Sequence, residues 1–305
     1  MFLKSTILMR SFFIFLTSFI SLSSCLRLDD NLYNAKKISR YELDQYQGEK
    51  DFILPASAQI ADSLIHVFTL SSKTASENSP TTIYAIYIGD VKRIATDTVI
   101  MYCHGNKWHM DFYWQRAKLL ANVGSKNRFG VLMIDYRGYG MSEGKPSEEG
   151  MYTDVNTALT WLKTNGLTDN RLAIYGFSMG TASATKLSAE PRALKPNWLI
   201  LEAPFASAET MVQDATKLAI SGSYVTDLKI DNAEEIKKVS QPFLWLHGIN
   251  DSFLNIKTHG EVVFKNYAGP KAKALRVPFA AHGNIPLILG FEYYKKTIED
   301  FISQP

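Results

Sequence analysis

The chain has 305 residues, 46% of them apolar, 21% charged and 12% aromatic, which excludes a disordered tail, a collagen-like repeat and a small disulfide scaffold. Its formal charge is +3; setting aside Lys4 and Arg10 as part of a leader reduces 33 basic residues to 31, against 30 acidic ones. No Lys/Arg cluster stands out, so nucleic acid is not an expected partner, and beyond the leader no apolar run is long enough for a conventional membrane span.

The first element is the leader. Lys4 and Arg10 form a basic region, and Ser11 to Leu22 is a short apolar stretch ending in Leu22-Ser23-Ser24-Cys25. The combination reads as a secretory signal over residues 1–24. Its last four residues resemble the lipobox of bacterial lipoproteins, in which the cysteine becomes lipidated and N-terminal. The resemblance implies lipidation at Cys25 and an exported protein held at the membrane of the bacterial cell envelope by its N-terminal lipid. A plain cleaved signal peptide, or an N-terminal anchor with Cys25 incidental, is the alternative. Cys103 is the other cysteine; with Cys25 acylated no intrachain disulfide can form. Residues 25–60 are polar and weakly periodic and are expected to be a tether with a short helix near Ile38–Tyr46.

From residue 61 to the C-terminus short β-branched runs alternate with helical patterns. Strands are predicted at Leu64–Leu70, Thr82–Ile88, Thr98–Cys103, Val131–Tyr136, Arg171–Tyr175, Trp198–Leu201, Phe243–Leu246 and Ala274–Val277. Helices are predicted at Trp108–Asn122, Glu148–Thr164, Met179–Glu190, Asn255–Asn266 and Phe291–Ile302. The first two strands, separated by a polar loop, read as a hairpin. The remainder reads as successive βαβ units in one α/β domain, with a mostly parallel sheet of about eight strands covered on both faces. Residues 204–241 exceed what a crossover needs and are expected to form a lid or pocket insertion.

The strongest local signal is Gly176-Phe177-Ser178-Met179-Gly180. Chance supplies about 0.1 such G-x-S-x-G matches in a chain this long when glycine and serine are each used at about 7%. The motif also follows an apolar strand and opens a helix rich in small residues, which forces Ser178 into a strained, exposed turn. Met179 N–H then lies at a helix N-terminus, where a developing oxyanion is favoured. A serine needs a base oriented by an acid, and the chain order for such an elbow is nucleophile, acid, histidine. His282, after the last strand, is the expected base. Asp251, in His247-Gly248-Ile249-Asn250-Asp251 beyond a strand's carboxyl end, is the expected acid. Asp227 and Asp231 are weaker rivals, His247 reads as a turn residue and His259 as a surface residue. The second oxyanion donor is assigned to Asn106 N–H in Tyr102-Cys103-His104-Gly105-Asn106, with Lys107 N–H as the alternative. His104 is expected to buttress that loop.

Asp135-Tyr136-Arg137-Gly138-Tyr139-Gly140 and the residues to Gly144 are glycine-rich, but their spacing is not that of a dinucleotide loop and no helix opens at the third glycine. No residue set has zinc or calcium spacing. Neither cofactor nor metal is therefore expected. Trp108, Phe112, Met211 and Leu218 are assigned to a hydrophobic acyl or aryl pocket.

Taken together, the His104-Gly105-Asn106 loop, DYRGYGMSEGKPSEEG at 135–150, the GFSMG elbow, HGIND at 247–251 and His282 resemble the α/β-hydrolase superfamily over roughly Ile60 to the C-terminus. The 135–150 string is similar to a branch of small-lidded serine hydrolases that includes lysophospholipase-like, protein-depalmitoylase-like and serine aminopeptidase-type proteins. The resemblance implies the α/β-hydrolase fold, a Ser178–Asp251–His282 triad and Met179 and Asn106 as oxyanion donors. Ala280-Ala281 stands where the family commonly has glycines. The expected chemistry is hydrolysis of carboxylic esters or thioesters of a small molecule or lipid. An amidase or peptidase with the same triad, and a membrane-tethered binding protein on a hydrolase scaffold, are the alternatives.

Overall fold

A computed structural model describes residues 32–49, 52–124, 129–216 and 226–303. The leader, Cys25 and Leu218 lie outside the described residues. Eight strands form one sheet: β1 (Ile65–Ser72), β2 (Thr81–Ile88), β3 (Thr98–Cys103), β4 (Phe129–Ile134), β5 (Leu172–Phe177), β6 (Trp198–Glu202), β7 (Phe243–Gly248) and β8 (Ala272–Val277). Their spatial order is β1-β2-β4-β3-β5-β6-β7-β8. β1 and β2 form the expected hairpin, β2 meets β4 antiparallel, and the other pairs are parallel.

The central strands are apolar on both faces because both are covered. On β3, Val99, Met101 and Cys103 enter one core, while Ile100 and Tyr102 enter the other, as the two-residue repeat of a strand requires. The helices are α1 (Met110–Ala121), α2 (Glu148–Thr164), α3 (Gly180–Ala189), α4 (Ala208–Thr216), α5 (Asn232–Glu235), α6 (Gly260–Asn266), α7 (Ile285–Leu289) and α8 (Phe291–Ser303). α2, α3 and α6 contribute to the first core and α1 and α8 to the second. Ser147 caps α2, its hydroxyl accepting from Gly150 N–H at 3.1 Å. The 204–241 insertion contributes α4 and α5 among its described residues.

The strand after α1 begins and ends two residues earlier than predicted, at Phe129–Ile134 rather than Val131–Tyr136. The parallel ladder pairs Phe129 with Thr98, and beyond the strand Asp135 turns its carboxylate to Met110 N–H and the Tyr41 hydroxyl, each at 2.7 Å.

The larger difference concerns residues 32–60, expected to be a tether. Ala35 bridges Trp108 and Lys37 bridges Gly140, and Phe52, Leu54, Ala58 and Ile60 are buried in the α1 core. The expected helix near Ile38–Tyr46 is a single 3-10 turn at Leu43–Gln45. The physical reason lies on α1, whose polar residues face this segment. Asp111 accepts from Glu42 and Leu43 N–H, Arg116 pairs with Glu49, Lys118 with Asp44, and the Asn122 amide donates to Ala58 C=O. A segment held through polar partners on another element carries little hydrophobic periodicity of its own.

Candidate active site

Every residue of the site stands just beyond the carboxyl end of a parallel strand: Asn106 after β3, Ser178 after β5, Asp251 after β7 and His282 after β8. At the end of β5, Ser178 has φ +52°, a left-handed conformation that costs a non-glycine residue about 1–2 kcal/mol. The turn is held from both sides, by Ser178 N–H donating to Glu202 C=O at 3.0 Å and by Thr181 N–H donating to Ser178 C=O at 3.0 Å. Both motif glycines are required by close approach. A Cβ on Gly176 would lie 2.6 Å from Thr181 Cα, and one on Gly180 would press into the Cys103 carbonyl.

Ser178 Oγ lies 2.9 Å from His282 Nε2, and His282 Nδ1 lies 2.8 Å from Asp251 Oδ2. The imidazole sits between Phe177 and Phe253, at centroid distances of 5.4 and 5.0 Å. Asp251 Oδ1 accepts from Phe253 N–H at 2.9 Å and Leu254 N–H at 2.8 Å. Burial pushes the Asp251 carboxyl up, but hydrogen bonds from His247, His282 and Leu254 N–H together outweigh it and hold the group well below the usual carboxylate range.

His247 is not a turn residue. It is fully buried, its Nε2 lies 2.9 Å from Leu254 C=O and 3.3 Å from Asp251 Oδ2, and the Trp245 indole N–H donates to its Nδ1 at 3.4 Å. The four-residue spacing of HGIND was the available signal, since it folds the loop back and puts the ring beside the acid. His259, read as a surface residue, is also buried and accepts from Ala206 N–H at 3.1 Å. Asp231 caps α5 through Glu234 N–H, away from this chemistry.

Among the described residues, neither Met179 N–H nor Asn106 N–H has an acceptor. Lys107 N–H, the alternative donor, is committed to the Tyr113 hydroxyl at 2.9 Å. The loop carrying Asn106 is braced by His104, whose Nδ1 lies 2.7 Å from Gly105 C=O, and by the Tyr136 hydroxyl, which donates to His104 C=O at 2.9 Å.

A narrow cavity of about 40 Å³ opens at Ser178 and is walled mainly by apolar side chains, among them Leu32, Tyr33, Phe205, Met211, Leu228 and Phe253. Met211 stands where expected. Trp108 and Phe112 do not line this cavity. They pack against each other at 5.2 Å, with the Lys107 ammonium 4.5 Å from the Trp108 ring. Sequence reasoning missed Leu32 and Tyr33, which precede the domain, and Phe253, two residues after the acid.

It also missed a buried ionic cluster behind the site. Arg116 donates to Glu49 at 2.8 Å, to Glu202 at 2.9 Å and to the carbonyl of Gly283, the residue after His282. Its guanidinium lies 4.3 Å from the centroid of the Phe177 ring, which in turn flanks His282. Tyr175 and Tyr294 both donate to Glu202.

The Pyrococcus furiosus esterase Pf2001 superposes with a TM-score of 0.63 at 15% identity, covering 88% of this chain and 98% of that one. An esterase from Exiguobacterium antarcticum superposes with a TM-score of 0.56 at 18% identity, covering 77% and 99%. The fold is that of the α/β hydrolases. The family model for serine aminopeptidase, S33, matches residues 95–241, a span that includes the elbow and the insertion. Alpha/beta hydrolase domain-containing protein 17B from Xenopus laevis and from Homo sapiens are each 29% identical over 206 residues, 67% of this chain. The chain spans 66% of the length of these relatives, just under two thirds. Four loops distant in sequence meet at one edge because the strands that carry them run parallel and present their carboxyl ends there together.

Proposed function

We propose that this α/β hydrolase is a serine hydrolase that cleaves carboxylic esters or thioesters of apolar acyl groups. The observation that carries the reading is the continuous hydrogen-bonded line Ser178 Oγ–His282 Nε2, His282 Nδ1–Asp251 Oδ2, on a serine held at positive φ. His282 Nε2 takes the hydroxyl proton as Oγ attacks the acyl carbon. The resulting oxyanion accepts from Met179 and Asn106 N–H, and Asp251 fixes the imidazole tautomer and stabilises the imidazolium. The imidazolium then protonates the departing alkoxide or thiolate, leaving Ser178 acylated. Water, deprotonated by His282, attacks the acyl carbon, and the collapse returns the proton to Ser178 Oγ.

The name of the matching family, serine aminopeptidase, favours a second reading, amide-bond hydrolysis. An aminopeptidase captures a substrate ammonium with a carboxylate, and among the described residues lining the cavity none is Asp or Glu. The walls suit an uncharged acyl chain, and the ester reading is preferred on that ground. The leader and Cys25 support a lipid-tethered enzyme at the envelope membrane, where acyl substrates are concentrated. The test pairs fluorophosphonate labelling with turnover of matched p-nitrophenyl esters and p-nitroanilides in the wild type and Ser178→Ala. Labelling and ester turnover that vanish in the variant support the proposal, whereas faster anilide turnover favours the peptidase. Well-folded protein that is neither labelled nor active favours a non-catalytic scaffold.

A further inference from the structure

We infer that the N-terminal strap, Leu32 to Lys37, is the specificity-determining wall of the acyl cavity and the clamp that positions the second oxyanion donor, an inference that rests on the acyl-transfer reading of Ser178. The strap is laid between two loops of the domain. Trp108 N–H donates to Asn34 C=O at 2.8 Å and Lys36 N–H to Trp108 C=O at 3.2 Å on one side. On the other, Gly140 N–H donates to Lys36 C=O at 2.9 Å and Ile38 N–H to Gly140 C=O at 3.2 Å. Trp108 has φ +60°, a conformation that persists only where its surroundings enforce it, and the strap holds both its backbone groups.

Asn106 lies at the centre of this arrangement. Its Oδ1 accepts from Asn34 N–H at 2.9 Å and from the Tyr139 hydroxyl at 2.5 Å, and its Nδ2 donates to Leu32 C=O. The side chain is therefore fixed to the strap from both ends of its amide, while the backbone N–H of the same residue is left for the oxyanion. Such a donor is effective only when pre-positioned, because it must meet an oxygen that exists only in the transition state. Leu32 and Tyr33 then face the cavity beside Ser178 and Met179. The cavity is narrow and Leu32 is part of its wall, so the size of that side chain limits how much acyl chain can enter.

The strap thus sets two separable quantities, and the full-length chain tests both. Leu32→Ala opens the wall, and each additional methylene that can be buried is worth about fourfold. The ratio of kcat/KM for p-nitrophenyl octanoate over acetate is expected to rise roughly tenfold or more in Leu32→Ala and to fall in Leu32→Trp. Asn34→Pro removes the N–H that holds Asn106 and keeps the carbonyl. It is expected to lower kcat roughly tenfold to a hundredfold for every chain length alike, with KM little changed, as displacement of a reacting group by about 1 Å does. An unchanged octanoate-to-acetate ratio in both Leu32 variants, with Ser178 still labelled by the fluorophosphonate, overturns the wall. An Asn34→Pro enzyme with wild-type kcat overturns the clamp; if that variant does not fold, Asn106→Ala, which loses the same ties to the strap and keeps its backbone N–H, is read in its place, and wild-type kcat there overturns the clamp. A wild type that is not labelled overturns the acyl-transfer reading, and the strap inference with it.

Discussion

Replacing Arg116 by Met should both destabilise the fold and impair the site, and the two effects should separate in a double variant. The guanidinium is buried and makes four polar contacts, two to Glu49, one to Glu202 and one to Gly283 C=O. Methionine fills much of the same volume but leaves the Glu202 carboxylate, fully buried, with only two tyrosine hydroxyls as donors. Removing one partner of a buried ion pair costs about 3–5 kcal/mol, a large share of the roughly 5–15 kcal/mol that holds a domain folded. At about 2–4 °C per kcal/mol, the melting temperature should fall by about 6–20 °C. The double variant R116M/E202Q removes the more deeply buried of the two stranded charges, while Glu49 keeps the other, so it should be about 2 kcal/mol more stable than R116M in urea titrations followed by tryptophan fluorescence. Its kcat on a p-nitrophenyl ester should nevertheless remain below wild type, because the Gly283 carbonyl beside His282 is still unheld. If R116M unfolds at the wild-type midpoint, or if E202Q adds its own cost to R116M instead of offsetting it, the account of this cluster is wrong.

Other expectations concern single residues. Asp251→Asn should lower kcat by up to about 10⁴-fold, and His247→Ala, which removes one donor to that carboxylate, by about tenfold; parallel kcat measurements rank the two. Because the folded state holds the Asp251 carboxyl low, its contribution to stability is present above the unfolded value of about 3.9 and is lost as pH falls below it. The difference in urea midpoint between wild type and D251N should therefore be constant above about pH 5 and shrink below about pH 4, and a difference that grows on acidification would contradict the sign. Gly180→Ala forces a methyl onto the Cys103 carbonyl and should lower the melting temperature and abolish ester turnover together. Burial pushes the Cys103 thiol up, so peptide mapping should find it unmodified by iodoacetamide in native protein at pH 8 and modified after unfolding in urea.

The elbow and the positions of the later strands are readable because each is a local pattern with a local cause. Gly176, Ser178 and Gly180 answer to steric demands within a few residues, and continuous apolar runs answer to burial on both faces. Asp251 and His282 were legible through chain order and their places after β7 and β8. What sequence could not supply was contact between segments of unlike character. Leu32 and Tyr33 belong to a stretch with weak periodicity because it is held by backbone bonds to the Trp108 and Gly140 loops, and a bridge to another loop leaves no repeat in sequence. Arg116 sits on a helix where charges ordinarily point to water; its burial depends on Glu49 and Glu202, 67 and 86 residues away. Trp108 and Phe112 were assigned to the cavity because aromatics follow the oxyanion loop, yet the left-handed turn at Trp108 accompanies their packing onto each other.

In the proposed mechanism Ser178 carries the acyl group between substrate and water, and an acyl-enzyme trap reads that step itself. The protein would be mixed with p-nitrophenyl butyrate, quenched in acid within the first turnovers and analysed by intact-mass and peptide-mapping mass spectrometry. One butyryl adduct is expected, mapped to Ser178, decaying with the kinetics of turnover and absent from Ser178→Ala. Ester hydrolysis that persists in Ser178→Ala, with no adduct on the wild-type serine, would contradict it.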